Sequence, residues 1–269
     1  MLSLYRLSAV SSRASALITA IFSLFSFTGM AETADIAVFD DHEKYVEAAS
    51  GYGVSWQLLA LAAKQQGIEL QTQPSSWDAA LKRVKAKKTD LVFAAFKTAD
   101  RAVWAAFSLP LYKEGSAIFA RPDNPVQRIE DIDVQTSTIG VSSASVQEML
   151  AQELGFKNIY GSRARMRLYT LLQNERLDYL LFGQSILSYY CLNYTKEKNR
   201  HCMKQIGEPL QSARIHVLTD KTNQRATQLL VRLNAGLQAI KNTPEARAVF
   251  EQYGLDASEH QQWIAALGE

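Results

Sequence analysis

Two kinds of hydrophobic spacing alternate along the first third of the chain after residue 35, and their order predicts a β-α-β-α-β unit. Short strand-like runs are separated by segments whose apolar residues recur at helical spacing. In order they are IAVF (36–39), VSWQLLALAAKQQG (54–67), IELQTQ (68–73), SWDAALKRVKAKK (76–88) and DLVFAAF (90–96). Apolar runs of the last kind suit strands that are buried on both faces of a parallel sheet.

The same order of elements recurs between residues 138 and 183. The segments are TIGV, ASVQEMLAQELG, FKNIYG, RARMRLYTLLQNER and LDYLLFG. Repetition of the unit predicts an α/β fold with two lobes. Asp90 and Asp178 each precede the last strand of a unit. Ligands in open α/β sheets collect at the opposite, carboxyl ends of strands, so we expect these two aspartates to bind backbone amides.

Two crossings between the lobes complete the predicted architecture. The Pro-containing segment 108–125 leads from the first lobe to the second, and a strand at 213–221 leads back. Two amphipathic helices follow the return. We therefore expect lobe 1 to comprise residues 32–110 and 222–269, and lobe 2 to comprise residues 111–221, with a hinge and a cleft between them.

The N-terminal 31 residues have the features of a secretory signal peptide. Arg6 and Arg13 precede an uncharged apolar stretch at 14–27, which ends near small residues. The stretch is short for a membrane span, which favours a cleaved leader over the alternative of a permanent anchor. Cleavage after Ala31 would deliver the protein to the periplasm.

Removing the leader leaves a neutral chain. The full sequence has 29 Lys+Arg and 27 Asp+Glu. The leader holds two arginines and no acid, so 27 of each sign remain. Nucleic-acid binding therefore has no electrostatic support.

The two cysteines of the chain are Cys191 and Cys202. An even number in an exported protein favours a disulfide between them. The alternative is a metal site that includes His201, but four ligands at the usual spacing are not visible, and no cofactor is expected.

Four segments together resemble the type 2 periplasmic solute-binding proteins, in particular the amino-acid-binding family 3 of ABC transporters. They are SWDAALKRVKAKKTDLVFAAF, TADRAVWAAFSLPLY, IGVSSASVQEML and the helix that ends in EQYG. The second is the most specific, because it resembles the family's Thr, acidic, Arg, then Phe-Ser-x-Pro-Tyr signature. Here Leu111 separates Pro110 from Tyr112. The resemblance covers nearly all of the mature chain.

The resemblance assigns Arg101 to the carboxylate of a bound amino acid. The planar guanidinium suits a bidentate pairing that lysine could not copy. Thr98 would add a hydroxyl, and the backbone around Ala95 and Phe96 would add carbonyls. The alternative is a structural salt bridge from Arg101 to Asp100 or Glu114.

Further ligand contacts are implied from both lobes. Ser143 and Ser145 lie where a helix of lobe 2 begins, so their hydroxyls and free N–H groups would face the same anion. Phe39 ends the first strand, and Tyr45 is expected in the loop after it, as rings against the ligand side chain. Asp41 is a candidate for the ligand amine.

One position departs from the family pattern. Where the amino-acid binders place an aspartate that holds the ligand's ammonium group, this chain has Gly183. The ligand is therefore predicted to differ from a standard α-amino acid. Three arginines at 163, 165 and 167 begin a predicted helix, where the helix dipole disfavours cations. They form either a solvated face or a contact for a second acidic group.

The leading hypothesis is a monomeric periplasmic binding protein that closes on a small carboxylate-bearing solute and delivers it to a membrane ABC permease. A sensory module with the same clamp is the first alternative. The second is an enzyme on this fold, such as a dehydratase. The four histidines are dispersed and no catalytic motif is present, which disfavours an enzyme.

Overall fold

The computed structural model describes residues 32–48, 50–185, 189–191 and 203–268. The predicted signal peptide at 1–31 lies outside the described residues. The predicted disulfide also does, because Cys202 is not among them. Among the helices that the structure describes, none combines the length and the hydropathy that a membrane span needs.

The described part of the chain includes nine strands, nine α-helices and one 3₁₀ helix, Ile129–Asp131, and residues 189–191 are also helical. The strands are β1 (Glu32–Val38), β2 (Ile68–Pro74), β3 (Leu91–Phe96), β4 (Ala105–Phe107), β5 (Lys113–Ala120), β6 (Thr138–Ser142), β7 (Asn158–Ser162), β8 (Tyr179–Gly183) and β9 (Lys204–Asp220). The helices are α1 (His42–Ala48), α2 (Ser50–Gln65), α3 (Trp77–Lys85), α4 (Ala99–Trp104), α5 (Val146–Glu153), α6 (Arg165–Gln173), α7 (Gln224–Ile240), α8 (Pro244–Gln252) and α9 (Ala257–Ala266).

The fold is mixed α/β, as the sequence predicts. The strand order is β2-β1-β3-β9-β5-β8-β6-β7, and β4 pairs with β9. Parallel pairs join β1 to β2 and β3, and join β6 to β7 and β8. Each parallel set is one of the two β-α-β-α-β units. Their carboxyl ends hold the turns that reach the cavity described below.

The long strand β9 joins the two halves of the sheet. Its residues 215–220 pair antiparallel with β3 and β4, and its residues 204–214 pair with β5. The sequence predicts only 213–221 as strand, because Gly207 and Pro209 are turn signals in the earlier part. Gly207 adopts a φ of 62°, which a glycine tolerates without strain. The lobe boundaries at residues 110/111 and 221/222 stay a prediction.

Asp90 and Asp178 have the structural role predicted for them. The Asp90 carboxylate accepts a hydrogen bond from the backbone N–H of Asp35 at 3.0 Å. The Asp178 carboxylate accepts from both the backbone N–H and the hydroxyl of Thr138, each at 2.8 Å. Each aspartate therefore ties the start of its strand to the neighbouring strand.

Tyr45 corrects a local prediction. It lies in helix α1, not in a loop, and is almost fully buried. The acidic residues and glycines of this segment favour a loop in the sequence, although a short helix forms there. Tertiary packing decides the conformation: the Tyr45 ring stacks on Tyr189 with centroids 3.9 Å apart.

A glycine sets the close approach of helices α2 and α7. A Cβ at Gly236 would lie 2.4 Å from the carbonyl oxygen of Ala62. Gly236→Ala should therefore lower the free energy of unfolding by about 1–3 kcal/mol, as overpacking does. Urea unfolding of the two proteins measures the difference.

Helix propensity acts in the opposite direction at this position. Alanine is favoured over glycine by up to about 1 kcal/mol in a helix interior. Ala235→Gly, on the exposed side of the same helix, measures that propensity alone. A gain of stability in Gly236→Ala equal to the loss in Ala235→Gly would contradict the packing argument.

Candidate functional site

A partly enclosed cavity lies among residues contributed by both halves of the sheet. The volume open to the centres of water molecules is about 70 Å³. One water needs roughly 10–15 Å³ on this measure, so the cavity has the scale of a small organic solute. Six aromatic rings supply much of its wall: Phe39, Tyr45, Tyr52, Trp77, Phe96 and Phe182.

Arg101 enters the cavity from helix α4. Thr98 caps this helix, and its hydroxyl oxygen accepts a hydrogen bond from the backbone N–H of Arg101 at 3.3 Å. The guanidinium Nη1 donates to the carbonyl of Phe96 at 2.9 Å, and Nη2 donates to the carbonyl of Ala144 at 3.3 Å. It also lies 4.9 Å from the ring centroid of Trp77.

The charge of Arg101 is buried with only partial compensation. Arg101 is 8% exposed, and burial lowers the pKa of its guanidinium to about 10. It remains charged at neutral pH. No carboxylate in the described part of the chain forms an ion pair with it, so neither Asp100 nor Glu114 takes that role. Two carbonyl dipoles stabilise a buried cation less than an anion does, so the site favours an anionic ligand.

Glu114 supplies a buried carboxyl group to the same cavity. Strand β5 carries it, and its Oε1 accepts a hydrogen bond from the backbone N–H of Ser185 at 2.8 Å. The hydroxyl of Ser185 bonds to Oε2. Burial raises the pKa of Glu114 to about 7, against the lowering effect of these hydrogen bonds. Glu114 therefore changes charge near neutral pH.

The position of Glu114 explains the departure at Gly183. A Cβ at Gly183 would lie 3.2 Å from Cγ of Glu114, and the Oε1 atom would be 3.3 Å from it. The carboxyl group of Glu114 therefore lies beside the residue where the family pattern has an aspartate. The acid comes from β5 and not from the end of β8.

The turn between β6 and α5 forms the opposite wall. Ser145 caps α5, and its hydroxyl oxygen accepts from the backbone N–H of Glu148 at 3.2 Å. Ala144 adopts a φ of 61°, an unusual value for a residue other than glycine. Its carbonyl accepts from the indole N–H of Trp77 at 2.9 Å and from Arg101. The strained turn thereby holds together residues from the two halves of the sheet.

The structure brings six of the ten predicted ligand residues to the cavity. They are Phe39, Tyr45, Phe96, Arg101, Ser145 and Gly183. The other four have different surroundings. Ala95 packs in a core cluster, and Thr98 caps α4. The backbone N–H of Ser143 donates to the carbonyl of Ser162, and Asp41 binds the hydroxyl of Tyr189 and the ammonium of Lys44.

Sequence reasoning missed several residues of the cavity wall. The cavity is lined also by Tyr52, Trp77 and Ser185, for which no sequence motif indicates a ligand contact, and by Glu114, which the sequence indicates only as a partner of Arg101. For Arg165 the sequence supports two interpretations, a solvated face and a contact for a second acidic group. A charged residue at the start of an otherwise apolar strand was the available signal for Glu114. Among the described residues, no cluster of three or more potential metal ligands is present.

Most of this chain matches a known protein family. The family model for bacterial extracellular solute-binding proteins, family 3, matches residues 39–256. The arginine-binding extracellular protein ArtP of Bacillus subtilis (strain 168) is 27% identical over 150 residues, which cover 55% of this chain and 56% of ArtP. The chain thus spans about half the length of this curated relative.

Solved structures share the fold at lower identity. The arginine-, lysine-, histidine-binding protein ArtJ from Geobacillus stearothermophilus matches with a TM-score of 0.70 and 17% identity, over 88% of this chain and 100% of that one. The GluR0 ligand-binding core from Nostoc punctiforme in complex with glutamate matches with a TM-score of 0.65 and 19% identity, over 82% and 98%. Since the family model spans most of the sequence, the chain belongs to the bacterial extracellular solute-binding proteins, family 3.

Proposed function

We propose that this protein is a periplasmic binding protein that captures an amino acid or a related small carboxylate-bearing solute and delivers it to an ABC permease. The observation that carries the proposal is Arg101, a buried cation that lines the cavity without an ion-pair partner among the described residues. Its planar fork already donates to two carbonyls, which hold it in place to receive a carboxylate.

Glu114 supports an amine on the ligand. It is a buried carboxyl group in the same cavity as Arg101, beside Gly183. A ligand ammonium would pair with its ionised form, and buried charges require such a partner. With Glu114 available, a standard α-amino acid is again a suitable ligand, despite the glycine at position 183.

Relatives of this chain are described as amino-acid binders. ArtP is named as an arginine-binding protein, and the GluR0 core was solved with glutamate. The shared chemistry of those ligands is an α-carboxylate next to an ammonium group. Arg101 and Glu114 supply one group of each opposite charge. The aromatic wall would then contact the ligand's side chain.

A thermal-shift screen of the purified protein tests the proposal. The panel contains acidic, neutral and basic amino acids and small dicarboxylates. At 100 times its Kd, a ligand stabilises the folded state by about 2.7 kcal/mol. For a chain of this length we expect a rise in Tm of about 5–10 °C. Absence of a shift with every carboxylate in the panel would refute the proposal.

Transport and sensing are separated by a second measurement. Deleting the gene should lower cellular uptake of the radiolabelled ligand found in the screen if the protein feeds a permease. Unchanged uptake would favour the sensory alternative. Consumption of the bound compound by the purified protein would instead indicate an enzyme.

A further inference from the structure

Arg165 places a second guanidinium group in the wall of the same cavity. It is the first residue of helix α6. Its guanidinium carbon lies 3.3 Å from the ring centroid of Phe39, and Nε donates a hydrogen bond to the hydroxyl of Ser142 at 3.2 Å. The stacking and the hydrogen bond fix the plane of the group.

One donor atom of this guanidinium has no partner, although the group also interacts with the hydroxyl of Tyr45. Its Nη1 atom is buried and makes no hydrogen bond. No carboxylate of the described residues forms an ion pair with it. Asp41, which follows Phe39 closely in the chain, is bound by Lys44 and Tyr189 instead. A buried donor of a charged group without a partner is costly, and an anionic ligand group would remove that cost.

The helix adds to the positive potential at this point. Ala164 precedes α6 and has no side chain that can cap the helix. The first N–H groups of α6 therefore receive no side-chain hydrogen bond from the capping residue. The helix dipole disfavours a cation at the N-terminus and favours an anion there. Arg165 is therefore in an unfavourable position without a ligand and in a favourable one beside a bound acid group.

Among the described residues, the charged side chains that line the cavity are two guanidinium groups and one carboxyl group: Arg101, Arg165 and Glu114. A complementary ligand carries two acid groups and one ammonium group. We propose that the ligand is an acidic amino acid, of the aspartate or glutamate class, with its side-chain carboxylate on Arg165. This inference rests on the proposed function, which assigns the α-carboxylate to Arg101. A basic side chain on the ligand would be repelled by the positive charge of Arg165.

Calorimetric titration at pH 8 with L-glutamate, L-aspartate, L-glutamine and L-arginine tests the proposal. The wild-type protein should bind one of the acidic amino acids about 10- to 100-fold more tightly than glutamine, since hydrogen bonds to charged groups contribute that much. Arg165→Gln should remove this preference, because it should lower the affinity for the acidic ligand and leave the affinity for glutamine nearly unchanged. Arg165→Lys, which keeps the charge, should retain a preference for the acid.

Arg167→Gln is the matched control, because Arg167 is exposed on the same helix. It should leave all four affinities unchanged. If the wild type binds glutamine or arginine more tightly than glutamate and aspartate, the proposal of an acidic ligand is wrong, but the proposed function stands. If Arg165→Gln loses equal affinity for glutamate and for glutamine, Arg165 acts by packing on Phe39, and the inference is wrong. Failure of all four amino acids to bind would overturn this inference, while the proposed function would be overturned only if the dicarboxylates of the thermal-shift panel also failed to bind.

Discussion

Replacing Arg101 with alanine should lower the affinity for the ligand by about 30- to 5000-fold. Removing one partner of a buried, hydrogen-bonded charge pair costs about 2–5 kcal/mol of binding free energy. The ligand-free fold should survive, because the Arg101 guanidinium has no ion-pair partner among the described residues: it donates to the carbonyls of Phe96 and Ala144 and lies over the ring of Trp77. The measurement is ligand-induced thermal stabilisation together with calorimetric affinity.

Two further variants sharpen this test. Arg101→Lys keeps the charge but cannot donate to a carbonyl and both oxygens of a carboxylate in one plane, so we expect at least about a tenfold loss. Arg176→Ala removes an exposed arginine and should change nothing. If Arg101→Ala and the wild type are stabilised equally by the ligand, Arg101 does not bind the carboxylate.

Replacing Glu114 with glutamine should have the second large effect, on both ligand binding and pH dependence. Glutamine keeps the shape of the side chain and can still accept from the backbone N–H of Ser185. It cannot neutralise a ligand ammonium. At pH 8 the affinity for an amino acid should fall by about 30-fold or more, as for a buried charge pair that loses one partner. Glutarate, which has no amine, should not lose affinity.

The pH dependence of ligand-free stability follows from the raised pKa of Glu114. The folded-state pKa is about 7, against 4.5 for the ordinary group. Between these values the folded protein binds more protons than the unfolded chain. Its free energy of unfolding therefore falls as pH rises through this window, by about 3 kcal/mol in total. Glu114→Gln should remove this decrease.

Urea unfolding of both proteins at pH 5, 6, 7 and 8 measures the difference. Other groups titrate alike in the two proteins and cancel, including the buried His42, whose pKa is lowered to about 4. At pH 6, amino-acid binding to the wild type should release a proton, visible in buffers of different ionisation enthalpy. Parallel stability curves would show that Glu114 is ionised throughout, contrary to expectation.

Much of the fold could be predicted because its hydrophobic spacing is regular. The two β-α-β-α-β units and helices α7 and α8 contain long periodic segments, and Thr243 caps α8 as its sequence indicates. Short helices were harder. Helix α1 and helix α4 have seven and six residues, too few for a clear period. Their conformation depends on tertiary contacts, such as the stacking of Tyr45 on Tyr189.

The part of the site that could be predicted is the residue that lies in a specific sequence motif. Arg101 was found because it lies in a characteristic sequence and a buried guanidinium needs a partner. Glu114 was not assigned a ligand role, since its proximity to Gly183 depends on the antiparallel pairing of β5 with β8. Such long-range register has no local signal in the chain. Arg165 was ambiguous for the same reason, because the nearby Phe39 is far from it in sequence.

The contact between Glu114 and Gly183 bears on how related sequences are compared. An aspartate introduced at position 183 would crowd Glu114, since even its Cβ would lie 3.2 Å from the glutamate's Cγ. An acid at position 183 is therefore accommodated most easily when a smaller residue replaces Glu114. We expect homologues to carry an acid at one of these two alignment columns and a small residue at the other. Whether a homologue recognises a ligand amine should therefore be inferred from the residues at positions 114 and 183 together.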